Sequence, residues 1–496
     1  MDRNENVNIR LQVLGAQLRA VAEEMGATLI RSAFSANIKE RRDCSTALFD
    51  ARGRMIAQAE HIPVHLGALP DAVAAVRERS PGPDEVYVLN DPFAGGTHLP
   101  DVTLVSRTAL GFAASRAHHA DVGGREPGSM PADARTLDEE GVVIPPTLLD
   151  DASLARIVEQ MRNPEERRGD FRAQLAAHVL AARRIDELCA RHDPTIVTAA
   201  MDELHDYSER LVRAGLRQVP DGVYAADEQL DDGSRIRVEL DVHGDACVLD
   251  FAGTDPQQGG NLNCPLAVTK SACYFVVRCI AAPDVPASGG AFVPVDIRAP
   301  EGSLVNARPP AAVAGGNVET SSRIVDAVFR AFGQAVPVPA QGQGTMNNVT
   351  LGNDRFTYYE TIGGGQGACP QADGPSAVHV AMSNTLNTPI EALELEFPLR
   401  AVEYALRRGS GGAGERSGGD GVVRELEALA EMRYSLITER RRNAPPGAAG
   451  GADGAPGRNL LNERELTAKA SGTLRPGDRL RIETPGGGAY GQQQER

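Results

Sequence analysis

An α+β fold in several domains, with mixed β-sheets, a helical hairpin and glycine-rich loops, is what this 496-residue sequence predicts. Helix-like and strand-like periodicities come in separate blocks and do not alternate, which argues against a doubly wound sheet. The composition, 42% apolar and 24% charged, is that of a globular protein able to bury a sizeable core. Glycine, at 52 residues, is in surplus and gathers in loops. The changes of pattern divide the chain into an N-terminal α+β region over 1–150, a helical hairpin over 151–219 and a C-terminal α+β region over 220–496. One continuous unit over 5–491 is the alternative.

The first element is a helix, because Leu14, Leu18, Val21, Met25 and Leu29 recur at helical spacing on one stripe. Residues 86–121 then break into short apolar runs, VYVL, VTLVS and GFAAS, separated by Pro and Gly clusters, as for strands joined by rigid loops. The helical period returns with Phe171, Leu175, Val179, Ala182, Ile185 and Cys189 on one predicted face. The Asp193-Pro194 step breaks it, and Met201, Leu204, Tyr207 and Leu211 start a second helix. Past Pro220, Ile236, Val238, Leu240 and Val242 alternate, Gly244-Asp245 turns the chain, and ACVLDF returns as a β-hairpin. A helix follows through Ile324, Val328 and Phe332. Three glycine-dense loops complete the chain, at 363–368, 409–421 and 445–457, the last read as a mobile surface loop.

The formal charge of −16 repels phosphate backbones, and with 4% aromatic residues and no Trp there is little to stack on bases, so nucleic acid is excluded as a partner. Seven scattered cysteines without a CxxC pair read as reduced thiols. No apolar stretch approaches the length of a membrane span and the N-terminus has no secretory pattern, so a cytoplasmic location and no membrane partner are expected.

Chemistry concentrates early. Five of the ten histidines, His61, His65, His98, His118 and His119, fall within residues 61–119, against about one for an even spread. Interleaved with them are Asp91, Asp101 and Asp121. In HLPD, Pro100 resists helix continuation, so His98 and Asp101 share a tight turn entering a strand. In FAASRAHHADVGG, strand alternation puts His119 and Asp121 on one face and His118 on the other. The expected metal ligands are therefore His98, Asp101 and His119, with His118 as the alternate and Asp121 or Asp91 as fourth ligand or general base. Nitrogen and carboxylate donors without thiolate suit Mn, Fe(II) or Zn. His61 and His65 read mainly as structural, His65 also as a pocket-lining candidate. GSGGAG at 409–414 matches GxGxxG without the helix that a dinucleotide site requires, and the P-loop, HExxH and GxSxG patterns are absent.

The phrases RSAFSANIKERRDCSTALFDARGRMIAQAEHIPVHLGALP, NDPFAGGTHLPDVTLVS, FAASRAHHADVGGREPGSMP, YYETIGGGQGA and HVAMSNTLNTPIEALELEFPLR together resemble the hydantoinase B/5-oxoprolinase B-type family over nearly the whole chain. That resemblance implies a hetero-oligomer in which a hydantoinase A-type partner binds ATP and Mg. Together the two open a small cyclic amide such as 5-oxoproline or a hydantoin. An ATP-dependent ketone carboxylase of the acetone or acetophenone type is the alternative, and a non-catalytic scaffold for the A-type partner is a second one. The family's metal ligands carry over to His98 and Asp101 and to a histidine of AHHAD. On this reading His65, Asn384, Thr385, Asn387 and Glu391 orient the substrate. Gly364, Gly365 and Gly367 of GGGQGA offer N–H groups to a developing oxyanion or phosphate.

Overall fold

The computed structural model of the chain describes residues 3–60 and 62–493; His61 lies outside the described residues. Four sheets and a set of long helices give the α+β architecture. The first sheet contains β1 (Cys44–Asp50), β2 (Met55–Glu60), β3 (Val86–Leu89), β4 (Asp101–Thr108), β5 (Gly111–His118) and β6 (Thr147–Leu148), in the order β2-β1-β5-β4-β3-β6. All its pairs are antiparallel. The helix Ala68–Arg77 packs on one face through Leu69, Ala72, Val73 and Val76. The other face is covered by the helix Arg3–Ser32, which buries Leu14, Leu18, Met25 and Leu29 as its spacing predicts, and by the helical hairpin Pro164–Arg191 and Pro194–Leu216.

That hairpin is rotated from the predicted faces. Val179 is 71% exposed, whereas Phe171, Gln174, Ala177, His178, Ala181 and Ile185 are buried. The reason is polar. His178 bonds Ser106 Oγ at 2.6 Å and Ser115 Oγ at 2.9 Å, and Gln174 bonds the Val102 carbonyl at 3.1 Å. Hydrogen bonds to the sheet and small alanines thus select the inward stripe over bulkier apolar residues.

The second sheet runs β10 (Val295–Arg298), β9 (Ala246–Asp250), β8 (Arg235–His243), β7 (Gly222–Gln229), with the predicted hairpin as β8 and β9. The helices Leu266–Ala281 and Ser321–Phe332 share its core. β11 (Asn348–Gly352), β12 (Thr357–Glu360), β15 (Met432–Ile437) and β18 (Lys469–Leu474) form a third sheet. β13 (Leu399–Arg407), β14 (Gly421–Ala428), β16 (Arg458–Leu461), β17 (Arg464–Leu466) and β19 (Arg479–Glu483) form a fourth, and an apolar cluster joins the two.

The glycine loops interlock beside these sheets. Gly419 N donates to Gln366 O, Gly487 N to Gly419 O and Gly412 N to Gly487 O, while Ala489 N donates to Ala452 O. The segment 445–457 is therefore tied into this packing through Ala448, Ala452 and Ala455, which corrects its reading as a mobile loop. Close approach explains the composition: a Cβ on Gly365 would lie 2.0 Å from the Gly419 carbonyl oxygen. No helix among the described residues is long and apolar enough to cross a membrane, and all seven cysteines are free thiols.

Candidate metal centre

A two-residue turn at Ala109-Leu110 closes the β4–β5 hairpin, with Thr108 opposite Gly111. Counting back along the ladder puts Asp101 opposite His118 at the far end of the hairpin. Directly opposed residues of an antiparallel pair point to the same face. His98, three residues before Asp101 in the turn, reaches the same point. His98 Nε2 lies 3.2 Å from His118 Nδ1 and 3.3 Å from Asp101 Oδ1, and His118 Nδ1 is 3.5 Å from Asp101 Oδ1. Asp43, just ahead of β1, brings Oδ2 to 3.9 Å from His118 Nδ1. His65 approaches Asp101 Oδ2 at 3.4 Å through Nε2 and bonds Ser45 Oγ at 3.0 Å through Nδ1. His65, His98, Asp101 and His118 are each at most 2% exposed.

These distances fit a cation. Donors bound at about 2.1 Å are separated by about 3.0 Å at a right angle and about 3.4 Å in a tetrahedron, and the three edges of the His98, Asp101 and His118 triangle are of that length. Two sets of residues, one of His98, Asp101 and His118 and the other of Asp43, His65 and Asp101, can each converge on a single ion. The surrounding cavity of about 20 Å³ has room for one ion or one water.

The electrostatics agree with that fit. Burial pulls the His118 imidazole down to about 4 and lowers His65, so both offer lone pairs at neutral pH. Burial alone would raise Asp101, but His98 and His65, with hydrogen bonds from His118 and His65, hold its carboxyl well below the usual range. Asp43 is pushed up to about 8 by burial and by the neighbouring Asp101, against the opposing pull of Arg41.

The later half of the chain closes the cavity. Tyr359 stacks on His118 at 4.4 Å between centroids, and Asn317 Nδ2 sits 3.2 Å from His98 Nδ1. Ser383, Asn384 and Thr385 form one wall. Behind it Arg41, fully buried, donates to the Tyr359 carbonyl at 2.5 Å, Thr361 Oγ1 at 2.6 Å and Thr385 Oγ1 at 3.0 Å, all neutral acceptors.

Several expected site residues lie elsewhere. β5 ends at His118, so the alternation rule stops one residue short of His119. That ring packs against Phe171 at 4.8 Å and bonds Gln174 Oε1 at 3.0 Å, on the helical side of the sheet. His118, the alternate, faces the cluster in its place. Asp91 caps a short turn by accepting from Phe93 N. Asp121 accepts from Gly123 N and Gly128 N and pairs with Arg162 at 3.0 Å, so neither carboxylate meets the cluster. Asn387 bonds the Tyr404 hydroxyl and Glu391 is exposed, leaving Asn384 and Thr385 as the wall residues from that phrase. Gly364 N and Gly365 N donate to Val378 O and Pro485 O. With those two N–H groups engaged, Gly364 and Gly365 do not offer them to an oxyanion, and a Cβ on Gly367 would meet Ala340 O at 1.9 Å. Asp43, Arg41, Asn317 and Tyr359 were not singled out from the sequence. The ladder count through the ALG turn is the signal that would have selected His118 over His119.

Larger hollows lie away from this chemistry. The one of about 550 Å³ is lined by residues 107–112 at the turn end of the hairpin, about 23 Å along the strands from Asp101.

The hydantoinase B/oxoprolinase family model matches residues 8–493. The chain belongs to this family. It is 37% identical to 5-oxoprolinase 1 of Arabidopsis thaliana over 97% of its own length and 42% of that protein, so it spans about two fifths of this longer relative. The B component of a putative D-/L-hydantoinase from a Pseudomonas species is 30% identical, with 98% of this chain and 90% of that one covered. The crystal structure of the ATP-dependent caprolactamase from Pseudomonas jessenii superposes with a TM-score of 0.92 at 29% identity, over 98% of this chain and 91% of that one.

Proposed function

We propose that this chain is the B-type part of an ATP-dependent cyclic amide hydrolase acting with an A-type partner, and that His98, Asp101 and His118 hold a divalent metal. The observation that carries the reading is the buried triangle of two imidazole nitrogens and one carboxylate oxygen with edges of 3.2–3.5 Å. Relatives named as a 5-oxoprolinase and as the B component of a hydantoinase support the reaction class. The absence of a P-loop from the sequence is consistent with a nucleotide bound by the partner. Bound there, Mn, Zn or Fe(II) would supply Lewis acidity toward a carbonyl oxygen or a water.

The chain's own groups do the remaining work. An amide carbonyl is weakly electrophilic, and transfer of a phosphoryl group from ATP to the lactam oxygen in the partner removes that difficulty. Water then adds to the activated carbon, the ring C–N bond breaks with a proton going to nitrogen, and the acyl phosphate left behind hydrolyses to carboxylate and phosphate. Asp43 Oδ2, raised in affinity for protons by burial and Asp101, is placed to accept the proton that the attacking water loses. Tyr359 and the Ser383–Thr385 wall exclude bulk water, and the wall must part to admit a ring far larger than the present 20 Å³.

The test is reconstitution with an A-type partner, following ADP release on 5-oxoproline, hydantoins and ketones with bicarbonate. Ring opening that needs ATP and both chains is expected. Lactam hydrolysis by this chain alone without nucleotide, or turnover confined to ketones with bicarbonate, refutes the proposal.

A further inference from the structure

Asn317 lies on one turn of π-helix, Gly316–Thr320, ahead of the helix Ser321–Phe332. Such turns are rare and recur at functional sites. This one is tightly anchored. Glu140, fully buried, accepts from Val313 N at 3.0 Å and Ala314 N at 2.9 Å; Thr320 Oγ1 donates to the Leu262 carbonyl at 2.6 Å, and Ser321 Oγ to the Asn317 carbonyl at 2.6 Å. A Cβ on Gly316 would lie 1.8 Å from the Asn263 carbonyl oxygen, so the turn cannot slide on that side. The anchored turn delivers the Asn317 amide, 2% exposed, to 3.2 Å from His98 Nδ1, while its Oδ1 is buried without a partner.

An imidazole that binds a metal through Nε2 carries its proton on Nδ1, and that N–H needs an acceptor. With Nδ2 toward the ring, the amide donates to Nδ1. The proton then sits on Nε2, which donates to Asp101 and cannot coordinate. Half a turn about the terminal bond exchanges the amide's oxygen and nitrogen at almost unchanged shape. The partnerless oxygen then becomes the acceptor that His98 requires.

We propose that Asn317 is a positioning residue whose amide, by turning, sets the tautomer of His98: Nε2–H with Nδ2 facing the ring, and Nδ1–H, with Nε2 free for the metal, when Oδ1 faces it. The inference rests on the metal reading given under Proposed function. It assigns a role to the π turn and links Glu140, at the other end of the anchored segment, to the centre.

Two measurements on the full chain test it. Zinc affinity, by competition with a chromophoric chelator, should fall by about 10–100-fold in Asn317→Ala and stay within a few-fold of wild type in Asn317→Asp, which keeps an acceptor. In zinc-loaded wild type, 15N-edited NMR should find the His98 proton on Nδ1, a result that needs no variant to fold. Equal zinc affinity in wild type and Asn317→Ala, or a zinc-loaded His98 with Nδ1 unprotonated, overturns the positioning role alone. A wild-type chain that takes up no zinc, manganese or iron overturns the metal reading and this role together.

Discussion

Glu140→Gln gives a direct readout of how the segment ahead of the π turn is held. The Glu140 carboxyl is fully buried, and although the amides of Val313 and Ala314 favour its ionised form, burial prevails and pushes it up from 4.5 to about 8. Because the folded value lies above the unfolded one, the native state binds the extra proton between them. Stability from this group is complete below pH 4.5 and falls as pH rises toward 8. The separation corresponds to about 5 kcal/mol as an upper bound. Glutamine keeps an oxygen for the two amides and does not titrate, so any cost of its NH₂ group is the same at every pH. Calorimetric midpoints of wild type and variant at pH 5, 6.5 and 8 isolate the effect, since all other titrations cancel in the difference. The variant should gain on wild type from pH 5 to 8, by about 10 °C if the melting unit has roughly 200 residues. A difference that does not change with pH would show that Glu140 is ionised in the folded protein, and the argument from burial would be wrong.

Other substitutions probe the remaining features. His118→Ala should abolish stoichiometric divalent metal by elemental analysis, while His119→Ala keeps the metal and loses about 2–3 kcal/mol of stability through its ring packing and hydrogen bond; the reverse pattern would reinstate His119 as ligand. Metal at a thousandfold excess over its Kd should raise stability by about 4 kcal/mol, checked by thermal melts with and without chelator, and His98→Ala should remove that gain. Gly365→Ala forces a Cβ against the Gly419 carbonyl and should cost about 3 kcal/mol or more; an unchanged melting temperature would contradict the close packing. Arg41→Met removes the buried donor to the Tyr359 carbonyl and to the Thr361–Thr385 hydroxyl pair and should cost about 3 kcal/mol, with turnover of the reconstituted complex falling alongside.

Local pattern made much of the architecture legible. The helix carrying Leu14 to Leu29, the Ile236–Val242 hairpin and the helix at Ile324 all follow from side-chain period, because each buries one clean apolar face. The helical hairpin was harder: its inward stripe includes Gln174 and His178, which period counting scores as solvent-facing, and the Ser106 and Ser115 hydroxyls, the Val102 carbonyl and the His119 ring opposite make that burial favourable. The site was legible as composition, histidines and acids crowded into one stretch, but choosing among them required register. Alternation assigned faces within one strand, whereas hairpin pairing decides which residues meet across two. Asn317, Tyr359 and Thr385 come from segments about 200–300 positions away from His118 in the chain, a distance at which no local rule acts.

The interlocked glycine segments set a timetable for biogenesis. Residues 363–368, 409–421 and 445–457 make their hydrogen bonds with 485–491, the stretch that leaves the ribosome after the other three. Bonds among the first three, such as Gly419 N to Gln366 O and Ala452 N to Ala413 O, can form earlier, but the groups that pair with 485–491 stay solvated until that stretch arrives to be threaded between them. The first sheet can form before residues 485–491 emerge, but the glycine lattice can be completed only once they have done so.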